Sequence, residues 1–237
     1  TPDVFSAVSG RHIFYNASYL DGLDAAANPG DDAAIDTSKT ALLPGQTASA
    51  ANCTSYSRGI NGVMIDIANI FDPNAVDASS FVFRVGNTND PDGWALAPMP
   101  AITVRPGDGE SDSDRVVLTW ADNEIEKQWL QVTALSDANG GSLGLAHDDV
   151  FYFGNMPGDA NGDGVANAFD LLRVRQNYLL PSGGGRDDTA DLTRDGNVDD
   201  FDVLVVRQNY LQSLPMISTP AGTTGMAMIV AGFEETA

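Results

Sequence analysis

Apolar and polar residues alternate along much of the chain between residues 10 and 154. The pattern is clearest at Val63, Ile65 and Ile67, at Phe81, Phe83 and Val85, and at Val116, Leu118 and Trp120. A period of two sends successive side chains to opposite faces, so each stretch predicts a strand with one buried face. Residues 11–16, 101–105, 128–135 and 150–153 predict further strands, and segments rich in Gly, Asp, Asn and Pro separate them. Residues 129–132 and 150–153 are apolar on both faces, which predicts central strands, whereas the charges of Asp66 and Arg84 mark expected solvent faces. No amphipathic helical period interrupts this region. Seven or eight such strands predict a mainly β N-terminal domain over residues 1–154, an antiparallel sandwich of jelly-roll or immunoglobulin-like kind.

The pattern changes after residue 154. Residues 171–180 and 203–211 are apolar-rich runs of helix length, and both contain Arg-Gln-Asn-Tyr-Leu, at 175–179 and 207–211. Each follows a twelve-residue acidic segment, the first starting at Asp159 and the second at Asp191, 32 residues later. In both, oxygen-bearing side chains stand at positions 1, 3, 5, 9 and 12, with glycine at position 6. That spacing suits calcium, a hard ion that takes six to eight oxygens at roughly 2.3–2.6 Å from a loop wrapped around it. Position 6 turns sharply and favours a residue without Cβ; position 7 offers its backbone carbonyl, so Val165 and Asn197 are free to differ. Aspartate stands at position 12 where an EF-hand has glutamate, so the start of the following helix has to lie closer to the ion. Neither loop is preceded by a helical pattern.

A tandem pair of calcium loops, each with only its exiting helix, resembles the type I dockerin domain, over about residues 156–215. The resemblance implies a small α-helical module with two EF-hand-type loops and two Ca²⁺ ions. Its ligands would be Asp159, Asn161, Asp163, Val165 through its carbonyl, Asn167 and Asp170, then Asp191, Thr193, Asp195, Asn197 through its carbonyl, Asp199 and Asp202. The family pattern also implies an antiparallel, nearly two-fold packing of the two units and a cohesin-type protein partner. Positions 10 and 11, which set partner choice in the family, hold Ala168-Phe169 and Asp200-Phe201 in place of small hydroxyl residues. The two phenylalanines are open to either role, partner contact or burial in the module's core.

A net charge of −21 on 237 residues argues against nucleic acid and against insertion into or adhesion to an anionic membrane. Weak calcium loops and acidic surfaces suit a secreted or cell-surface setting, where calcium is plentiful and salt screens self-repulsion. Cys53 is the only cysteine, so an internal disulfide is excluded and a buried thiol is expected. The chain opens on Thr1 with no apolar leader, as expected of a processed protein or a fragment. Residues 216–237, with the short apolar run 225–232, read as a flexible tail or linker after a module spanning 155–215.

The N-terminal domain carries little positive sign of catalysis. His12 and His147 are the only histidines, too isolated for a Ser-His-Asp triad or a zinc site. A binding role rests on the loop 87–94, where Trp94 follows Asp90 and Asp92 and offers an aromatic for stacking on a sugar, the alternative being a cap on the core. Trp120 and Trp129 fall in strand patterns and are expected in the core. The acidic stretches 21–36 and 108–114, like 87–94, are open to a structural calcium or to plain solvation. The chain is therefore expected to be non-catalytic, docking through the dockerin-like module while the sandwich binds polysaccharide or a surface protein. The alternatives are the accessory end of a larger extracellular polysaccharide-degrading hydrolase and a structural building block of a cell surface.

Overall fold

The computed structural model describes residues 5–178 and 188–221. Among these residues nine strands form two sheets. β1 (Ala7–Ile13), β3 (Gly62–Ala68), β7 (Asp114–Thr119) and β6 (Ala101–Arg105) make the first, in that order. The second runs β2 (Cys53–Thr54), β9 (Asp149–Asn155), β8 (Trp129–Ala134), β4 (Phe81–Gly86) and β5 (Ala95–Leu96). All pairings are antiparallel except β2 with β9, so the second sheet is mixed rather than purely antiparallel. β8 and β9 are interior strands, as their two-faced apolar character requires.

The two inner faces meet in one core. Val63, Ile65, Ile67, Val116 and Leu118 face Phe81, Phe83, Leu130, Val132, Phe151 and Phe153, with Trp120 edge-on to Phe83. The outer faces are covered too, which simple alternation does not foresee. Residues 14–36 lie over the first sheet and bury Phe14, Tyr15, Ala34 and Tyr56 against Met64 and Val117. Over the second, Leu42, Trp94, Leu214 and Ile217 close on Trp129 and Tyr152. Trp129 is fully buried and donates from Nε1 to the carbonyl of Pro215 (2.8 Å).

Two sequence expectations are corrected here. Asp66 does not mark a solvent face: it is fully buried, clamped by Arg115 through Nε to Oδ1 (2.8 Å) and Nη2 to Oδ2 (2.7 Å). A charge on the far side of a sheet is tolerated when a loop covers it and a guanidinium pairs with both oxygens. The tail expected to start at 216 is a strap as far as residue 221. Ala48 N donates to Ile217 O (2.8 Å), Thr219 N to Gln46 O (2.9 Å) and Gly45 N to Pro220 O (2.9 Å), so backbone pairing and Ile217 fix it to the sandwich. The apolar run 225–232, the glycines at 183–185 and the end of the first predicted helix lie outside the described residues.

The C-terminal module has two helices, α1 (Ala168–Gln176) and α2 (Asp200–Gln208), which pack on each other around Val174, Leu192, Val198, Val203 and Val206. Both begin three residues earlier than their apolar runs. The reason is the cap: Asn167 and Asp199 accept from the amides of Phe169 and Phe201 (2.8 Å each), while Asp170 and Asp202 reach back to the capping residue's own amide. Position 12 of each loop is thus the third residue of its helix, not the first.

Candidate metal centre

Each loop is shaped by its own amides. In the first, Asp159 accepts from Gly162 N (2.8 Å) and Asp163 N (3.1 Å) on Oδ1, and from Gly164 N (2.8 Å) on Oδ2. Asp170 accepts from Asn161 N (2.9 Å) on one oxygen and Asn167 N (2.8 Å) on the other. Asp159 Oδ1 is shared by two amides, whereas Asp159 Oδ2 and both oxygens of Asp170 take one each and keep a second lone pair for an ion. Gly164, at position 6, has φ +83°, and a Cβ there would sit 3.0 Å from the carbonyl of Leu214. Ligand-capable oxygens of Asp159, Asp163 and Asp170 lie within 4.8 Å of one another. Three carboxylates this close repel unless a cation joins them.

Electrostatics records the same strain. Burial pushes the Asp159 carboxyl up to about 6, and the neighbouring charges of Asp170 and Asp163 add to it. Asp170 is raised as well, chiefly by burial. In the second loop burial pushes Asp191 up to about 6, Asp202 and Asp195 pushing the same way, and Asp202 is raised by burial. A bound divalent cation reverses each of these costs.

The second loop repeats the bonding. Asp191 accepts from Asp195 N (3.3 Å) and Gly196 N (3.1 Å), and Asp202 from Leu192 N (2.7 Å), Thr193 N (3.0 Å) and Asp199 N (2.8 Å). Thr193 Oγ1 stands 3.3 Å from both Asp191 Oδ1 and Asp202 Oδ1, so the hydroxyl bridges the two carboxylates from position 3. Asp195 turns to the amide of Asn197 (2.9 Å) and does not close with Asp191 and Asp202 to the spacing of the first loop. Asn161 sits beside Asp163, its amide 3.1 Å from Oδ2. Val165 offers its carbonyl at the rim, where Asn167 Nδ2 reaches it at 3.2 Å. Asn167 Oδ1 and Asp199 Oδ1 each accept from an amide in the first turn of the following helix, so position 9 serves as the helix cap.

Residues 157–211 match the family model of the dockerin type I domain. Dockerin type I domains bind calcium, and both acidic loops lie within the matched residues. The match covers the loops and helices but not the sandwich. No curated protein and no solved structure matches the chain. Among the described residues, no helix is long and apolar enough to cross a membrane.

Phe169 and Phe201 are 70% and 64% exposed, so the dockerin module leaves both outside its core. The loop 87–94 behaves the other way. Trp94, open above to stacking on a sugar or to capping the core, is buried against Gly86 and edge-on to Tyr152, and its Nε1 donates to Thr88 Oγ1 (3.1 Å), so it caps the core. Asp90 and Asp92 stay exposed beside it.

Sequence reasoning passed over Arg194. It occupies position 4 of the second loop, where the first has Gly162, and its side chain leaves the loop to enter the sandwich. The signal was present: a lone arginine inside an acidic loop needs a partner elsewhere.

Proposed function

We propose that the chain is a secreted, non-catalytic binding protein in which the calcium-loaded dockerin module docks onto a cohesin-type partner. On this reading both loops hold Ca²⁺. The observation that carries it is a repeated apolar face: Phe169 and Leu172 on α1, and Phe201 and Leu204 on α2, 32 residues on, are exposed at 70%, 52%, 64% and 45%. Monomeric surfaces rarely repeat large apolar side chains in this way unless a partner covers them. The loops hold the first turn of each helix, so calcium would set the geometry of both faces.

The test is binding of the full chain to a panel of cohesin modules, measured by biolayer interferometry with calcium and with chelator. Binding is expected in calcium and lost in chelator, and replacing Phe169 and Phe201 together by Ser should weaken it at least about tenfold. A panel in which nothing binds, or binding indifferent to the double replacement, refutes the reading. For the sandwich we propose a polysaccharide or surface-protein ligand near exposed Asp90 and Asp92, which a glycan array on the full chain tests.

A second reading, a rigid cell-surface building block, is favoured by the seam between the parts. Ser57 N donates to Leu192 O (2.8 Å) and Tyr19 N to Arg194 O (3.0 Å), tying the second calcium loop to the sandwich. Small-angle scattering distinguishes one rigid body from two hinged ones.

A further inference from the structure

Six buried side-chain polar atoms lack a hydrogen-bond partner among the described residues, and three of them are acceptor oxygens within residues 16–31: Asn16 Oδ1, Asp21 Oδ2 and Asp31 Oδ1. Two belong to carboxylates at least nine-tenths buried, Asp21 at 8% exposed and Asp31 at 0%. A buried anionic oxygen with no donor is costly and persists when something cationic completes it.

The two carboxylates stand on neighbouring turns, close enough for the charge of Asp21 to act on Asp31. The short 3₁₀ turns Tyr19–Asp21 and Pro29–Ala34 pack together over the first sheet, and the carbonyl of Asp21 comes within 3.7 Å of where a Cβ on Gly30 would stand. Each carboxylate is held by one oxygen only. Asp21 Oδ1 accepts from Leu23 N (3.0 Å) and Asp31 Oδ2 from Asn28 N (2.9 Å), which leaves the partner oxygens free. The nearby guanidiniums are committed elsewhere: Arg105 to Asp32 and Asp108, Arg115 to Asp32 and Asp66. Burial raises both carboxyls, and the charge of Asp21 raises Asp31 further.

The geometry points to a third cation site, for calcium, between Asp21 and Asp31 in the loop layer of the sandwich. Carboxylates and loop carbonyls, with no nitrogen or sulfur donor among these groups, suit a hard ion of flexible coordination. A water molecule can bridge two acceptors but brings no positive charge, and the Arg105 charge that acts on Asp31 is already shared with Asp32 and Asp108. The site is independent of the docking reading, since it uses none of the dockerin loop residues. It does sit next to the second loop through Tyr19, whose ring lies against Gly196.

Native mass spectrometry of the full chain in calcium should count three ions, falling to two in Asp21→Asn/Asp31→Asn and to one in Asp170→Asn/Asp202→Asn. A wild-type count of two, or a count unchanged by the Asp21 and Asp31 replacements, overturns the proposal. Because the double variant can fail to fold, wild-type crystals soaked in Tb³⁺ give a second reading. An anomalous peak between Asp21 and Asp31 supports the site, and no peak there, with or without terbium in the dockerin loops, overturns it.

Discussion

The guanidinium carbon of Arg194 lies 4.5 Å from the centre of the Tyr15 ring, so an arginine from the second calcium loop is seated on an aromatic of the sandwich. Arg194 Nη2 donates to Tyr15 Oη (3.1 Å), and that hydroxyl donates to Asp36. Arg194 Nη1 reaches the carbonyls of Asp188 (2.6 Å) and Asp191, tying the loop to its own anchor. At 2% exposure the charge is out of water, and cation–π contact with acidic Asp36 behind the ring offsets that cost.

Replacing Arg194 by Ala is therefore expected to destabilise the calcium-loaded chain by about 2–4 kcal/mol, the range for breaking a buried charged network. Lysine should recover less than half, because an ammonium cannot both cover the ring and reach two carbonyls. Denaturant melts should show one cooperative transition in the wild type and a separate, earlier transition of the module in Arg194→Ala. Coincident transitions in the variant would count against the anchor.

What the sequence shows and hides follows from distance along the chain. Loop oxygens at fixed spacing, the strand faces at 63–67, 81–85 and 116–120, and the core places of Trp120 and Trp129 are local patterns, and each is legible. Asp66 misleads because its partner Arg115 is 49 residues away, so nothing near it announces burial. Ile217 stands among Ser, Thr and Pro and resembles a linker, yet its partners Trp129 and Tyr152 lie far upstream. Trp94 ends a polar loop, so its sequence leaves a sugar-facing ring and a core cap both open, and the space over Gly86 that the indole fills decides between them. The helices start inside the loops because capping by Asn167 and Asp199 is a three-dimensional bond that an apolar run does not encode.

Asp66 is the most exacting of the buried charges. Its bidentate pair with Arg115 and the amide of Glu110 (3.0 Å) hold its carboxyl well below the usual carboxylate range, although burial alone would raise it. Alanine at this position leaves the buried Arg115 with only Asp32 for a charged partner. The expected loss is about 3–5 kcal/mol. Asparagine keeps the shape but not the charge and should lose less. Urea midpoints for the two variants check the order, and equal losses would mean that the charge alone is at stake and the shape that asparagine keeps contributes nothing.

The strap predicts a loss confined to one end of the molecule. Ile217 is fully buried with Leu42, Trp94 and Trp129, so Ile217→Ala should cost about 2–4 kcal/mol through lost transfer energy and a cavity. Tryptophan emission should move to longer wavelength as water reaches Trp94 and Trp129. If emission and stability stay at wild-type values, residues 214–221 are not a structural part of the sandwich.

Calcium and protons compete for the same carboxylates, and the sign of the pH effect follows from Asp159 and Asp191, both raised to about 6 from an ordinary 3.8. A carboxyl whose folded value is raised favours the folded state when protonated. In the metal-free chain its contribution is fully present below pH about 4 and is lost as pH rises through about 6. Each loop then forfeits on the order of 2–3 kcal/mol by neutral pH, since every tenfold gain in a carboxylate's proton affinity on folding is worth roughly 1.4 kcal/mol. Asp66, with its lowered value, acts only below pH about 4 and does not mask this window. Metal-stripped chain should therefore melt at a higher temperature at pH 5 than at pH 7.5. Added calcium, which needs the ionised carboxylates, should raise the melting temperature more at pH 7.5 than at pH 5. Differential scanning calorimetry at the two pH values, with and without the ion, measures all four states. A metal-free melting temperature that is flat or rises from pH 5 to 7.5 would show that Asp159 and Asp191 are not buried among carboxylates in the folded chain.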